Sequence, residues 1–165
     1  RGLPLGLADK AMLALDEPSG LPSDGNLRGA TMRTACGSFH LRPFGQPCIE
    51  GFFGGRFARE LEDAGDGALA AQSIEEIAGF LGNDYRRKLK PLAESRWAHD
   101  PFARGSYSHA LPGHAGARAV LAAPVDGRLF FAGEATSPYF FSTAHGARDS
   151  GERAAGEVLA ALTKG

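Results

Sequence analysis

Two cysteines in 165 residues are too few for a disulfide framework. Cys36 and Cys48 also lack metal-ligand spacing, so free buried thiols are expected, with a pairing of the two left open. Net charge is nearly absent: 18 basic against 19 acidic side chains leave -1, which gives no reason to expect nucleic acid or an anionic membrane as partner. No apolar run approaches the roughly 18 residues needed to cross a bilayer. No internal repeat is visible. His109 and His114 are not at zinc or facial-triad spacing, so no metal is assigned. No Ser-His-Asp or paired-carboxylate constellation stands out, and no side chain is assigned a catalytic role. What remains is ordinary for a globular protein, with 43% apolar and 22% charged residues and enough chain for one well-buried domain. The first residue, Arg1, is not a start methionine, and the chain reads as a fragment or a processed product.

Taken in order, residues 1–10 read as loop, and 11–15 as a strand ended by Asp16, Glu17 and Pro18. Lys10 reads as a solvated lysine at that strand's edge. Residues 19–29, rich in Gly, Pro, Ser and Asp, read as a surface loop. Strands are expected near 39–42 and 48–53, as the floor of a cavity or as ordinary core. Helices are expected over 56–64 and 67–81, the second with Ala70, Ile74, Ile77 and Leu81 on one face and Gly82 as its stop. Residues 84–90 carry Arg86, Arg87, Lys88 and Lys90. Without interleaved aromatics they read as a solvated connection. Residues 92–97 read as a strand.

The stretch from 128 to 162 reads strand, loop, helix. Leu129, Phe130 and Phe131 form a short apolar run, as in a strand buried on both faces. Ala132, Gly133 and Ala135 then remove side-chain bulk, and Glu134 is the one charged group at that edge. From about Ser142, the residues Ala144, Ala147, Gly151, Ala154, Val158 and Leu162 recur at helical steps as one small-residue stripe. A helix start offers unpartnered N–H groups and partial positive charge, so residues 143–145 would suit an electron-rich edge or a phosphate. On spacing alone, a core helix packed on a strand explains these residues equally well.

Ala132-Gly133-Glu134, followed by Gly146-Ala147-Arg148-Asp149-Ser150-Gly151-Glu152-Arg153-Ala154-Ala155, resembles the C-terminal signature of the flavin-dependent amine oxidases. A second segment, Trp97-Ala98-His99-Asp100-Pro101 with Gly105-Ser106-Tyr107, resembles that family's Trp-x-x-Asp-Pro and Gly-Ser-Tyr pattern. The resemblance implies an α/β (α+β) fragment of a two-domain fold, with a mixed sheet and a long C-terminal helix against the flavin site. It assigns residues 1–96 to part of a substrate-binding domain and 97–165 to the C-terminal part of an FAD-binding domain. It implies oxidative deamination of an amine by hydride transfer to flavin, with oxygen as acceptor and hydrogen peroxide released.

By the same resemblance, Trp97, Ser106, Tyr107, Gly133, Glu134, Thr143 and Ala144 are the cofactor-binding residues. Tyr107 and Thr143 also face the substrate. Tyr107 matches one wall of the family's aromatic cage, but Thr143 stands where animal monoamine oxidases carry the opposite tyrosine. Small aryl-alkyl amines lose support, while polyamines, amino acids and peptide-borne amines stay open. Ser106 stands where members with covalent flavin have cysteine, so the expected FAD is non-covalent. The family's Gly-x-Gly-x-x-Gly unit, which holds the ADP half of FAD, does not occur here. The expected partners are therefore a small-molecule amine and the N-terminal dinucleotide-binding part of the same protein, with no nucleic acid or membrane. The isolated chain is expected to be inactive, self-associating through exposed apolar faces, and cytoplasmic. A non-catalytic interaction module and a related flavin desaturase or protoporphyrinogen-type oxidase are the alternatives.

Overall fold

The computed structural model describes residues 2–16, 20–30 and 32–163, so Arg1, Glu17 and Pro18 of the expected turns lie outside the described residues. The chain forms two compact units, one of residues 2–6 with 107–163 and the other of residues 7–106.

The unit of residues 7–106 is a five-stranded sheet with helices. Its strands are β1 (Ala8–Leu15), β2 (Gly25–Arg28), β3 (Ser38–Leu41), β4 (Cys48–Gly54) and β5 (Leu89–Glu94), in the order β2-β3-β4-β1-β5. Every pairing is antiparallel, where a mixed sheet was expected. The α+β class itself holds. The helices are α1 (Gly55–Ala64), α2 (Ala68–Leu81) and the single turn α3 (Tyr85–Lys88).

Alternation explains the core. Ala11, Leu13 and Leu15 of β1, Phe39 and Leu41 of β3, and Ile49 and Phe53 of β4 point one way and are buried. Leu69, Ala70, Ser73 and Ile77 of α2 cover them. Gly51 permits that approach, because a Cβ there would stand 2.8 Å from the Ser73 hydroxyl and press on the Phe39 ring. Glu94 of β5 caps α2, accepting from the Gly67 N–H and from the Ala70 N–H at 3.1 Å.

Several boundaries differ from the sequence expectation. β1 begins at Ala8, because β4 continues the ladder to Ala8 opposite Gly54. The polar loop expected over 19–29 contains β2, whose edge is built by pairing with β3. The strand expected over 92–97 runs instead over Leu89–Glu94, with Pro91 on an edge strand where a missing donor is tolerated. Beyond Glu94 the backbone N–H groups of Trp97, Ala98 and His99 turn to carboxylates instead of a ladder. Cys36 and Cys48 are free and half-buried.

The unit of residues 2–6 and 107–163 contains α4 (Ala117–Ala122), a 3₁₀ turn over Glu134–Thr136, and the 19-residue α5 (Ala144–Leu162). The strand expected at 129–131 is absent. The described residues give it only a bridge from Val125 to Leu129, and Leu129 is 58% exposed. A strand needs a ladder, and an apolar run without one stays irregular. The expected stripe on α5 is displaced. Gly146, Ser150 and Ala154 are the buried row, while Ala144 and Leu162 are exposed. No helix among the described residues is long and apolar enough to cross a membrane.

Candidate functional site

The site is built around Glu134, which opens the 3₁₀ turn. Its Oε1 accepts from the Ser108 N–H at 2.7 Å. Its Oε2 accepts from the Ser108 hydroxyl at 2.8 Å and from the Ser142 N–H at 2.7 Å. The Ser108 hydroxyl in turn accepts from Arg118 Nη1 at 2.7 Å. Arg118 comes from α4, is 2% exposed, and stacks its guanidinium 4.2 Å from the centre of the Phe141 ring. Burial pushes the Glu134 carboxyl up. The N–H groups of Ser108 and Ser142, the Ser108 hydroxyl and the Arg118 charge outweigh it and hold the carboxyl below its usual range. Glu134 is therefore a carboxylate whose two oxygens are occupied within its own unit.

This carboxylate fixes the entry to α5. Ser142 has φ 61°, a left-handed conformation that a non-glycine residue rarely adopts. Its N–H is held by Glu134 and its hydroxyl donates to the Ser108 carbonyl at 2.9 Å, so the strain is over-determined. Thr143 follows as the N-cap, its Oγ1 accepting from the Gly146 N–H at 3.1 Å and donating to the Phe140 carbonyl at 2.6 Å. The N–H groups of Ala144 and His145 carry no hydrogen bond among the described residues. Gly146 admits no side chain, since a Cβ there would collide with the Phe140 carbonyl.

Gly133 precedes Glu134 with φ 134°, and nothing stands within 4 Å of where its Cβ would be. Its N–H donates to Ser150 Oγ at 2.8 Å, and its carbonyl faces the same hydroxyl at 3.0 Å. Open space at a strained glycine and two unpartnered N–H groups at a helix start fit a flat, electron-rich group. Arg118 also keeps one buried nitrogen, Nη2, without a partner among the described residues.

The remaining expected residues are placed as follows. Tyr107 is 38% exposed, and its carbonyl accepts from the Gly6 N–H at 2.7 Å. In the other unit, the Ser106 hydroxyl exchanges two hydrogen bonds with the Ala8 backbone, at 2.8 and 2.9 Å. Trp97, also in that unit, is 44% exposed and donates its N–H to Asp9. The sequence reading missed Ser108, Arg118 and Ser142. A lone arginine in an alanine-rich turn carries no motif, and Ser108 was visible only as the neighbour of Tyr107. The described residues hold no group of three or more His, Cys, Asp or Glu side chains suited to a metal.

Comparison with known proteins agrees with this architecture. The chain is 48% identical over 109 residues to lysine-specific histone demethylase 1 homolog 2 of Oryza sativa subsp. japonica, covering 58% of this chain and 14% of that protein. It is 35% identical over 117 residues to the human peroxisomal N(1)-acetyl-spermine/spermidine oxidase, covering 66% of this chain and 23% of that protein. A solved structure of putrescine oxidase bound to putrescine superposes with a TM-score of 0.75 at 20% identity, over 96% of this chain and 36% of that one. The chain thus spans well under a third of the length of these two curated relatives. Residues 1–159 match the family model of the flavin containing amine oxidoreductases, and the chain belongs to that family.

Proposed function

We propose that this chain is the C-terminal part of an FAD-dependent amine oxidase and is inactive without the remainder of the fold. The observation that carries this reading is the family match across residues 1–159, which contain both signature segments. When bound, the flavin supplies the two-electron oxidation of the amine to an imine. The chain's own residues bind and orient. The N–H groups at the start of α5, beside Thr143 and Ala144, would hold an electron-rich edge of the flavin. Gly133 and Glu134 would hold the ribityl and phosphate chain, while Glu134 fixes the backbone at Ser108 and Ser142. By the family resemblance Trp97, Ser106 and Tyr107 would bind the flavin, and Tyr107 would offer an electron-rich face to the amine.

Ser106 supports a non-covalent cofactor, since a hydroxyl cannot form the thioether and is engaged with the Ala8 backbone. Thr143 supports an extended aliphatic amine, a polyamine or a peptide-borne lysine, over a small aryl-alkyl amine. The names of the relatives, which include histone demethylases and polyamine oxidases, support the same classes. Residues 1–96 are assigned to the substrate-binding domain and 97–165 to the FAD-binding domain, with the upstream dinucleotide-binding part as partner and the cytoplasm as location.

The test is a flavin absorbance spectrum of the chain co-expressed with the upstream part of its own gene, against the chain alone. Flavin bands are expected only in the pair, bleached by spermine, putrescine or a methylated lysine peptide. A soluble, folded pair without flavin would replace this reading with a non-catalytic interaction module.

A further inference from the structure

Within the unit of residues 7–106, Asp9 of β1 and Glu62 of α1 are both fully buried, with 0% exposure. Their carboxyl groups take adjacent backbone donors, Asp9 the Trp97 N–H and Glu62 the Ala98 and His99 N–H groups, and so lie side by side. Two ionised carboxylates buried side by side repel each other unless a proton or a cation joins them. The donors around the pair show where a proton is needed. Asp9 Oδ1 accepts from the Ser95 hydroxyl at 2.9 Å and from the Trp97 N–H at 3.2 Å. Glu62 Oε1 accepts from the Ala98 N–H at 3.0 Å. Glu62 Oε2 accepts from the His99 N–H at 3.1 Å and faces His99 Nδ1 at 2.5 Å. Asp9 Oδ2 alone has no donor.

From this geometry we infer that Asp9 and Glu62 share one proton, carried on Asp9 Oδ2, and act as a buried clamp on the Trp97–His99 turn that loosens when the proton leaves. Three consecutive backbone N–H groups, those of Trp97, Ala98 and His99, end on this pair. The clamp goes beyond the flavin reading and does not depend on it, although Trp97 is one of the residues assigned to the ring.

His99 is the basic side chain that reaches the pair, and it meets Glu62 and not Asp9. Arg96 donates to the Glu62 main-chain carbonyl at 3.0 Å and pairs with Asp66. His99 Nε2 lies 3.5 Å from Asp63. On the neighbouring strands, Lys10 pairs with Glu50, and Glu94 is taken by the N-terminus of α2. Opposite Asp9 on β4 stands Phe53. Burial and the neighbouring Glu62 push the Asp9 carboxyl up from 3.8 to about 6, against the Trp97 and Ser95 donors. Burial pushes Glu62 up as well, but the Ala98 N–H, His99 and Asp9 outweigh it and leave Glu62 below its usual range.

The sign of the pH effect follows. Asp9 is raised, so its contribution to stability is fully present below about 3.8 and is lost as pH rises through about 6. Glu62 is lowered, so its contribution is present above 4.5 and is lost only as pH falls. Between pH 4.5 and 7 the Asp9 proton governs the clamp.

Trp97 is the only tryptophan of the chain, so its emission reports on the turn directly. The experiment compares Trp97 fluorescence and urea unfolding of the full chain with those of Asp9→Asn between pH 4.5 and 8. Asparagine presents an amide donor to Glu62 and keeps an acceptor for Ser95 and Trp97, so it mimics the protonated acid. The wild-type emission is expected to shift with a midpoint near pH 6, and Asp9→Asn to show no shift. At pH 7 the substitution should raise the folded-to-unfolded ratio on the order of tenfold or more. A flat wild-type emission overturns the clamp. So does a shift retained in Asp9→Asn, which would assign it to the His99 ring. Should the variant fail to fold, carboxyl carbon NMR of the wild-type chain decides, and an Asp9 titration midpoint below pH 4.5 overturns it.

Discussion

The two units differ in the kind of side chain that fills most of their interior. Residues 7–106 bury Leu13, Phe39, Ile49, Phe53, Leu69 and Ile77 in one continuous apolar core. In the unit of residues 2–6 and 107–163, Ala154 is the one buried apolar side chain among the described residues, and Ser108, Arg118, Thr136, Ser137 and Ser150 fill the interior instead. That second unit leaves Val120, Leu129, Tyr139, Phe140 and Leu159 exposed. The sheet unit is held by water exclusion, which is roughly proportional to area and tolerant of detail. The Glu134 unit is held by directional hydrogen bonds, each dependent on its partner's position. A site that must present backbone N–H groups at fixed places is better served by the second kind of interior.

The largest effect should come from the apolar core. Phe53→Ala removes a ring that packs edge-on against Phe39 and Phe57, and is expected to cost about 3–5 kcal/mol in urea unfolding. Hydrogen exchange should show the loss first in residues 7–106. Equal loss of protection in 107–163 would break the distinction between the two interiors. Next comes Gly146→Ala, whose methyl group must displace the Phe140 carbonyl. A cost of about 3 kcal/mol is expected, the upper end for overpacking, with faster exchange at the start of α5 and unchanged protection in β1 and β4.

The smallest of the three is Glu134→Gln, expected to cost about 1.5 kcal/mol at pH 7, because glutamine keeps only part of the three-donor arrangement. Its pH dependence sharpens the comparison. Glu134 is held below its ordinary 4.5, so its contribution is present above that pH and is lost as pH falls through its folded value. The Ser108 and Ser142 amide shifts should therefore move on acidification in the wild type and stay fixed in Glu134→Gln.

The same difference explains what the sequence made legible. β3, β4, α1 and α2 follow from local alternation, helical spacing and the Gly82 stop, because apolar cores leave a periodic trace. β2 left none, since Gly25 and Asn26 resemble a loop until β3 pairs with them. On α5 the small apolar residues suggested one face. The buried face was selected by Ser150, whose hydroxyl meets Gly133. Apolar periodicity cannot register a helix oriented by a serine. Glu134 was legible as the lone charge beside Ala132 and Gly133. Arg118 and Ser108 were not, because Ser108 lies 10 residues from Arg118 and 26 from Glu134 in sequence. The Asp9–Glu62 pair was hidden in the same way, one member inside an apolar strand and the other on a charged helix.

The Ser106 hydroxyl, bonded both ways to Ala8, ties together the two ends of residues 7–106, while Gly6 and Tyr107 are joined by their own hydrogen bond just outside. The sheet unit is in effect an insertion closed at its base. Closing a flexible loop grows costlier only slowly, by about 0.6 kcal/mol for each doubling in length. A change in length between those two crossing points therefore leaves the chain connections of the Glu134 network in place.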